Sequence, residues 1–580
     1  MKTRIPSTAF ALFAAGLLLA VSGCQQVVRP SSPASTSSRA VAWDDYVSAL
    51  LESEFNANPP TAVWAGRHEF DGRLPDWSRS GVDNEIRRMQ VQRERALQFD
   101  DAALDEGRRF ERDYVVARLD GELFWLESAQ SPFNDPSYYG GGLDPNIYVA
   151  REYAPLDDRL RAYIKYAEAV PAAAVQIRQN LRTPMPRTYV QVGRIAFGGL
   201  ATFYEEEVPG IFSAVTDAKL QAHLRQANAG AIAAMRGLDA WLGTLEATAT
   251  DRFALGPEKF GEMLRRTELV GVPLAQLKDV AERDLARNLA ALRAACTTYA
   301  PAQSDESCIA KMQADKPQGA AVAGAQAQLA RLRAFVEENR VVTIPSADQA
   351  SVAEAPAYER YNLAYVRIPG PYEQNLPATY YIAPPDPNWT RAEQDAYVPG
   401  KASLLFISVH EVWPGHFLQF LHSNRSKTRI GQIFVSYAFN EGWAHYAEEL
   451  MWDAGLGQGD AEMHVGQLLW ALVRDVRLLS AIGLHTGGMT VAESEALFRD
   501  KAFMDPGNAR QQAARGTFDP AYGNYTLGKL MIMKLRNDWT ATRGGRNAWK
   551  DFHDKFLSYG APPVPLVRRA MLGEGAGSLF

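Results

Sequence analysis

Two histidines and a glutamate lie within the seven-residue stretch HEVWPGH, residues 410–416. Imidazole nitrogens and carboxylates are usual ligands of zinc, and a glutamate beside a ligating histidine is the usual general base of zinc hydrolases. A second segment, NEGWAHYAEE (440–449), follows 24 residues after the last of these residues. We predict a zinc site split between two helices, in which the first carries ligands and base and the second completes the ligand set.

The two histidines are six residues apart, whereas the H-E-x-x-H zinc motif places them four apart. On an unbroken helix, six residues turn the chain by about 600° and leave the imidazoles about 120° apart. An interruption at Pro414-Gly415 would bring His416 back toward His410, since proline lacks an N–H and glycine adopts unusual conformations. The alternative is a Pro-Gly turn that ends a buried helix, with histidines that flank it by chance.

Both segments resemble the bacterial domain-of-unknown-function family 885, whose members carry H-E-x-x-P-G-H and later E-G-W-A-x-Y-x-E. The similarity extends to PPTAVWAGRHEFDGRLPDWS (59–78), LGPEKFGEMLRR (255–266), RDVRLLSAIGLHTGGMT (474–490) and YGNYTLGKLMIMKLR (522–536). The family is presumed to be a branch of the zincin-like metallopeptidases. The resemblance therefore implies a mainly α, gluzincin-type fold with a small β-sheet beside the active-site helix, and a Zn²⁺-dependent hydrolase of peptide or small amide substrates.

The third metal ligand beside His410 and His416 stays open from the residues alone. Glu441, His445 and Glu448 lie at positions i, i+4 and i+7, so they share one helical face. Glu441 matches the family's E-G-W-A and also resembles the N-E-G of zinc aminopeptidases. The resemblance therefore implies Glu441 as the ligand, with the other two orienting ligands or binding substrate.

Five further residues are candidates for chemistry at this site. Glu411 is the predicted base, because on a helix it points about 100° away from the neighbouring histidine and both cannot face one ion. Tyr525, which matches the family's Y-x-x-G-K, is a candidate donor to the oxyanion of the reaction, with a packing role as the alternative. His485 is a candidate catalytic or substrate-binding group, or a helix-end histidine that interacts with the dipole. Arg474 and Arg477, on the preceding helix, are candidates for orienting ligands or binding substrate.

The elements that must position these residues are mostly helices. Apolar residues recur at three- and four-residue spacing in 82–128, 160–181, 220–245 and 273–295. Strands are predicted at 364–370 and 378–385, which are β-branched and aromatic between Pro and Gly. Because 341–361 breaks the helical pattern, we predict a helical N-terminal region at 43–340 and a metal-site region at 341–580.

The first residues form a predicted targeting segment. Lys2 and Arg4 precede the apolar run AFALFAAGLLLAV, and VSGC at 21–24 resembles a bacterial lipoprotein signal. We expect a signal peptide at 1–23, lipid on Cys24 and a flexible Ser/Pro-rich tether at 24–42. Gln25 after the cysteine favours the outer membrane, on its periplasmic or cell-surface side. The alternative is an ordinary secretory peptide.

Cys296 and Cys308, twelve residues apart, are predicted to form a disulfide in an oxidising periplasm, with two free thiols as the alternative. The net charge of −6 gives no reason to expect a nucleic-acid partner. A serine hydrolase is disfavoured because the sequence has no G-x-S-x-G. The stretched histidine spacing leaves a second class open, a non-catalytic lipoprotein that keeps the fold and acts as a binding or scaffolding module.

Overall fold

The chain begins with a long helix in the computed structural model, which describes residues 36–356, 359–360, 362–373 and 375–580. The predicted signal peptide, Cys24 and the first part of the tether lie outside these residues. Helix α1 (Thr36–Ala57) begins seven residues before Trp43, so the predicted tether at 24–42 ends earlier than expected. The Ala- and Arg-containing turn before Trp43 continues the helix because both residues are good helix formers.

The N-terminal part is built of helices that pack around their own apolar core. Several begin with a side-chain cap. Ser78 and Asp105, for example, accept hydrogen bonds from the first turns of α3 and α4. The cap at Asp105 divides the predicted helical stretch 82–128 into two helices. The helices that follow α1 are α2 (Pro59–Ala65), α3 (Arg79–Leu97), α4 (Glu106–Leu123), α5 (Ser131–Asn134), α6 (Asn146–Val149), α7 (Leu156–Asn180), α8 (Arg187–Glu206), α9 (Val208–Ile211) and α10 (Ala218–Leu245).

Four more helices precede the sheet, and they carry the predicted disulfide. They are α11 (Pro257–Glu268), α12 (Leu274–Tyr299), α13 (Asp305–Ala314) and α14 (Ala320–Glu338). Cys296 at the end of α12 is joined to Cys308 in α13, with an Sγ–Sγ distance of 2.01 Å. Both sulfurs lie in the apolar core, since Cys296 and Cys308 are buried.

A small mixed sheet lies next to the candidate site. Its strands are β1 (Ala350–Glu354), β2 (Ala364–Arg367) and β3 (Ala378–Ile382), in the order β1-β3-β2. β1 runs parallel to β3 and β2 runs antiparallel to it. Both predicted strands are confirmed in shorter form, while β1 was not predicted because its sequence, ASVAE, carries only one β-branched apolar residue.

The remaining helices surround a buried central one. They are α15 (Arg391–Tyr397), α16 (Lys401–Glu411), α17 (His416–Ser423), α18 (Arg429–Ile433), α19 (Tyr437–Asp453), α20 (Ala461–Thr486), α21 (Val491–Ala502), α22 (Pro506–Phe518), α23 (Asn524–Thr540), α24 (Trp549–Leu557) and α25 (Val564–Leu572). Helix α20 packs against α12, α16, α19 and α23 and is buried on nearly all sides, as an internal helix of a large protein is. The fold is mainly helical with a small sheet, as the sequence predicts.

The apolar core divides the chain at a different place from the predicted boundary at residue 340. One cluster gathers residues between Trp43 and Leu242 together with Ile430, Phe434 and Leu566, and the other gathers residues between Phe260 and Val567 together with Phe124. Helices α11–α14 therefore belong with the C-terminal core, because the apolar face of α12 packs against α20. Among the described residues, no helix is long and apolar enough to span a bilayer.

Candidate metal centre

A tight turn between α16 and α17 brings the two histidines of HEVWPGH together. Helix α16 ends at Glu411 and α17 begins at His416, so the interruption expected at Pro414-Gly415 is a complete break. The Gly415 N–H donates to the Val409 carbonyl, N to O 3.0 Å. A side chain at Gly415 would overlap the His410 carbonyl oxygen, so only glycine fits this turn.

Two glycines let the helix that carries Glu441 approach the helix that carries Tyr525. A Cβ on Gly442 of α19 would lie 2.5 Å from the Gly528 Cα of α23, so the two backbones are in contact. The indole of Trp443 in α19 also donates to the Pro414 carbonyl, at 2.8 Å. These contacts hold α17, α19 and α23 around one point.

The three predicted ligands converge at that point. Each histidine turns its Nε2 toward the same carboxylate oxygen, with Glu441 Oε2 at 3.3 Å from His410 Nε2 and at 3.3 Å from His416 Nε2. All three ligand atoms lie within 4.8 Å of one another. The two imidazoles stand edge to face, with ring centroids 4.8 Å apart and planes at 88°. Their lone pairs therefore have a common focus.

This donor set contains unsatisfied polar atoms that a cation would satisfy. Glu441 Oε2 is buried and makes no aligned hydrogen bond with described residues, although both imidazoles are near it. Burial alone would raise the pKa of Glu441, but His416 and His410 hold it well below its usual range. Burial disfavours a positive charge on His410, yet Glu441 and Glu448 raise its pKa to about 9. The carboxylates thus favour positive charge here, which a divalent ion would supply.

Glu411 lies beside the three ligand atoms without being one of them. The residue is buried, and no hydrogen-bond donor among the described residues binds its carboxylate. Burial raises the pKa of Glu411, and the neighbouring His416 and His410 partly offset this. A buried carboxylate with a raised pKa and no fixed partner has the properties of a general base.

Glu448 and Arg474 hold the His410 ring from behind. The Glu448 Oε1 is 2.7 Å from His410 Nδ1 and 3.2 Å from Arg474 Nη2. A hydrogen bond from Nδ1–H to this carboxylate leaves Nε2 free to bind an ion, as is usual for histidine ligands. The Nδ1 of His416 has no such partner among the described residues. Burial lowers the pKa of His445, which also lies on this side, to about 4.

Tyr525 lies beside His410, with Arg477 and Arg515 near it. The Tyr525 ring lies 6.2 Å from the His410 ring, nearly parallel to it. The Arg477 Cζ is 4.8 Å from the Tyr525 ring centroid, and Arg515 donates to the Tyr437 hydroxyl at 3.0 Å. Burial and Glu441 raise the pKa of Tyr525, so its hydroxyl stays protonated and can donate.

His485 is not brought to the centre. It lies near the C-terminal end of α20, where its Nδ1 accepts from the Leu255 N–H at 3.3 Å and its Nε2 is 2.7 Å from the Gly516 carbonyl. The ring also stacks on Phe260. Both nitrogens therefore bind backbone groups, which agrees with the alternative of a helix-end histidine, and the fold does not bring His485 to the three ligand atoms. Helical rise explains the misplacement, since eight residues from Arg477 advance it by about 12 Å.

Sequence reasoning also missed buried residues around the centre. His553 was not singled out, and it is fully buried between the Tyr446 hydroxyl and the Val341 carbonyl. Arg515 and Tyr437 border Tyr525 and were not singled out. The sequence holds no signal that distinguishes Arg515 from other arginines, because the contact depends on how α22 packs against α20.

The fold and centre together define a large helical protein with a buried histidine–carboxylate cluster. Residues 59–571 match the family described as bacterial protein of unknown function (DUF885), and the chain belongs to that family. The search of curated proteins found no match.

Two solved structures share this fold. One is described as a "putative lipoprotein of unknown function" from Shewanella oneidensis; it is 23% identical, with 91% of this chain and 99% of that chain covered at a TM-score of 0.74. The other is a "putative lipoprotein" from Colwellia psychrerythraea; it is 16% identical, with coverages of 92% and 98% at a TM-score of 0.77. At these identities the similarity concerns the fold alone.

Proposed function

We propose that the protein is a zinc-dependent hydrolase of peptide or amide bonds. One observation carries the proposal: one ligand atom each from His410, His416 and Glu441 lies within 4.8 Å of the other two. The carboxylate of Glu411 is beside them, and no donor among the described residues binds it. Two imidazoles and one carboxylate suit zinc, and three protein ligands leave a position open for substrate. We also propose, as part of the same hypothesis, that the fold is zincin-like.

Zinc held by His410, His416 and Glu441 would supply Lewis acidity and would lower the pKa of a water molecule to about 7. Glu411 accepts a proton from the attacking water as the carbon–oxygen bond forms, then delivers it to the leaving nitrogen as the carbon–nitrogen bond breaks. Tyr525 donates a hydrogen bond to the carbonyl oxygen as negative charge develops there. Glu448 keeps the His410 ring in the orientation that exposes Nε2.

The same proposal includes attachment to a membrane. The leader and the VSGC sequence support a lipid on Cys24, and Gln25 supports the outer membrane, on its periplasmic or surface side. Both structural neighbours are described as putative lipoproteins. A peptide or small amide in the envelope would then be the substrate.

The experiment combines zinc content with a peptide-library cleavage assay on the purified protein and on Glu411→Gln. We expect one zinc per chain in both, and a loss of turnover of about 100-fold or more in the variant, because the amide cannot accept the proton. Glu338→Gln, at an exposed position at the end of α14, is the matched control.

Loss of zinc from Glu411→Gln would make Glu411 a ligand, and undiminished turnover would remove it as the base. A wild-type chain that binds no zinc and cleaves no peptide would favour the alternative of a non-catalytic binding or scaffolding module.

A further inference from the structure

Three arginines surround Tyr525, and two of them have a carboxylate partner. Arg474 pairs with Glu448, Nη2 to Oε1 3.2 Å. Arg515 pairs with Asp519, Nη2 to Oδ2 2.9 Å. A buried or partly buried guanidinium is stable in such pairs because the carboxylate compensates its lost hydration. The charges of Arg474 and Arg515 are therefore compensated by carboxylates of the protein itself.

Arg477 has no carboxylate partner among the described residues. Its Nε donates to the neutral Gln512 Oε1 at 2.9 Å, and its guanidinium lies over the Tyr525 ring. Only 8% of the residue is exposed. Its two terminal nitrogens form no hydrogen bond with described residues, which leaves their N–H groups free for a ligand. Burial and the nearby Arg515 lower the pKa of Arg477, which is the expected mark of an uncompensated charge.

The metal centre does not neutralise Arg477. Under the proposed function, on which this inference rests, Glu441 and Glu411 balance the two charges of one divalent ion. Glu448 and Asp519 are taken by Arg474 and Arg515. One positive charge is then left over, and it lies over the Tyr525 ring.

The spare guanidinium is close enough to the centre to bind part of the same substrate. His410 and Arg477 contact one tyrosine, with the His410 ring at 6.2 Å and the Arg477 Cζ at 4.8 Å from the Tyr525 ring centroid. An extended peptide advances about 3.5 Å per residue. A group at Arg477 therefore lies within about three residues of a carbonyl at the centre.

We propose that Arg477 binds a carboxylate of the substrate and so directs cleavage to bonds close to a C-terminus or to an acidic side chain. The fork of two N–H groups on a guanidinium matches a carboxylate with two parallel hydrogen bonds. A single negative charge completes the balance of the site. The substrate class is a short peptide whose carboxylate lies one to three residues beyond the scissile bond.

The experiment measures equilibrium binding by calorimetry to the Glu411→Gln protein, loaded with zinc, so that nothing is cleaved. Three probes are compared: N-acetyl-trialanine as the free acid, the same peptide as its amide, and N-acetyl-alanyl-glutamyl-alanine amide. The first and third distinguish a terminal from a side-chain carboxylate. Binding of each probe is also measured to the Glu411→Gln protein that carries Arg477→Met as a second substitution. The control carries Arg499→Met instead, on the exposed face of α21.

We expect at least one carboxylate probe to bind about 10- to 100-fold more tightly than the neutral amide. Arg477→Met should abolish that difference and leave binding of the neutral amide within about threefold, whereas Arg499→Met should change neither. In protein with an intact Glu411, Arg477→Met should raise KM for the preferred probe more than it lowers kcat, since the contact is made in the bound substrate.

Equal binding of all three probes, no binding of any, or a preference that survives Arg477→Met overturns the assignment. These outcomes differ from failure of the proposed function, which is judged by zinc content and turnover. The carboxylate preference can also be measured without zinc, because the contact with Arg477 does not require the ion.

Discussion

Glu441, His445 and Glu448 share one face of α19, yet each makes different contacts. Glu441 is near both Nε2 atoms, whereas Glu448 lies behind His410 and pairs with Arg474. His445 is fully buried, and its nearest carboxylate is Glu448, at 3.5 Å from Nδ1 to Oε2. The contacts favour Glu441 as the third ligand, with Glu448 acting through the His410 ring.

We expect Glu441→Ala to bind little zinc, because it removes one of the three proposed ligand atoms. His445→Ala and Glu448→Ala should lose about 10- to 100-fold in zinc affinity or activity, as changes behind a ligand do. Zinc affinity of the three variants is measured by competition with a chelator. If His445→Ala empties the site while Glu441→Ala leaves it full, the ligand set is three histidines.

The break between α16 and α17 is the element on which the spacing of HEVWPGH depends. Four residues, 412–415, separate the two helices, so the histidines are not held at the angle that an unbroken helix would impose. The turn is closed by the Gly415 N–H and covered by Trp443. The six-residue spacing is thus compatible with one ion only because this turn exists.

Gly415→Ala should separate the histidines, because the added methyl would overlap the His410 carbonyl oxygen. We expect zinc affinity to fall by more than about 100-fold, which exceeds the effect of substitutions behind a ligand. The free energy of unfolding should fall by about 1–3 kcal/mol. Both are followed by chelator competition and denaturant unfolding.

The control is Gly237→Ala in α10, where nothing described lies within 4 Å of the added methyl. It should keep its zinc and gain about 0.5–1 kcal/mol, as alanine does over glycine in a helix. Full zinc affinity in Gly415→Ala would show that the turn does not set the histidine spacing.

Polar contacts and shared apolar residues join the two apolar cores. Tyr114 donates to the Phe434 carbonyl at 2.5 Å, Tyr189 donates to the Thr517 carbonyl at 3.0 Å, and Phe434 itself packs in the N-terminal core. Farther along, Arg151 pairs with Glu373 at 2.5 Å. The N-terminal helices therefore support the region that carries the centre, and the Ser/Pro-rich segment before them is the proposed link to the membrane.

Cys24→Ser should release the whole protein from the membrane fraction into the soluble fraction, because the lipid would be carried by that sulfur. The folded part should be unchanged, so thermal unfolding and zinc content of the released protein are the controls. Fractionation and mass spectrometry of the N-terminus provide the readout. A variant that stays membrane-bound and normally processed would contradict lipidation.

Local chemistry explains what the sequence alone determined. The helices at 160–181, 220–245 and 273–295, the two strands and the disulfide between Cys296 and Cys308 follow from spacing, propensity and short sequence separation. The interruption at Pro414-Gly415 follows from the absence of an N–H and a side chain in adjacent residues. Each of these inferences needs only neighbours along the chain.

Only the tertiary structure decided which polar groups face each other. How α16, α19, α20 and α23 cross decides the separation of Glu441 from Glu448, the backbone partners of His485 and the burial of His553. It also decides that Arg477 has no carboxylate partner within the described part of the chain. Of these helices, α16 and α23 are more than 100 residues apart in the sequence. Periodicity defines a face on each helix, but the partner of that face is chosen by packing over the whole core.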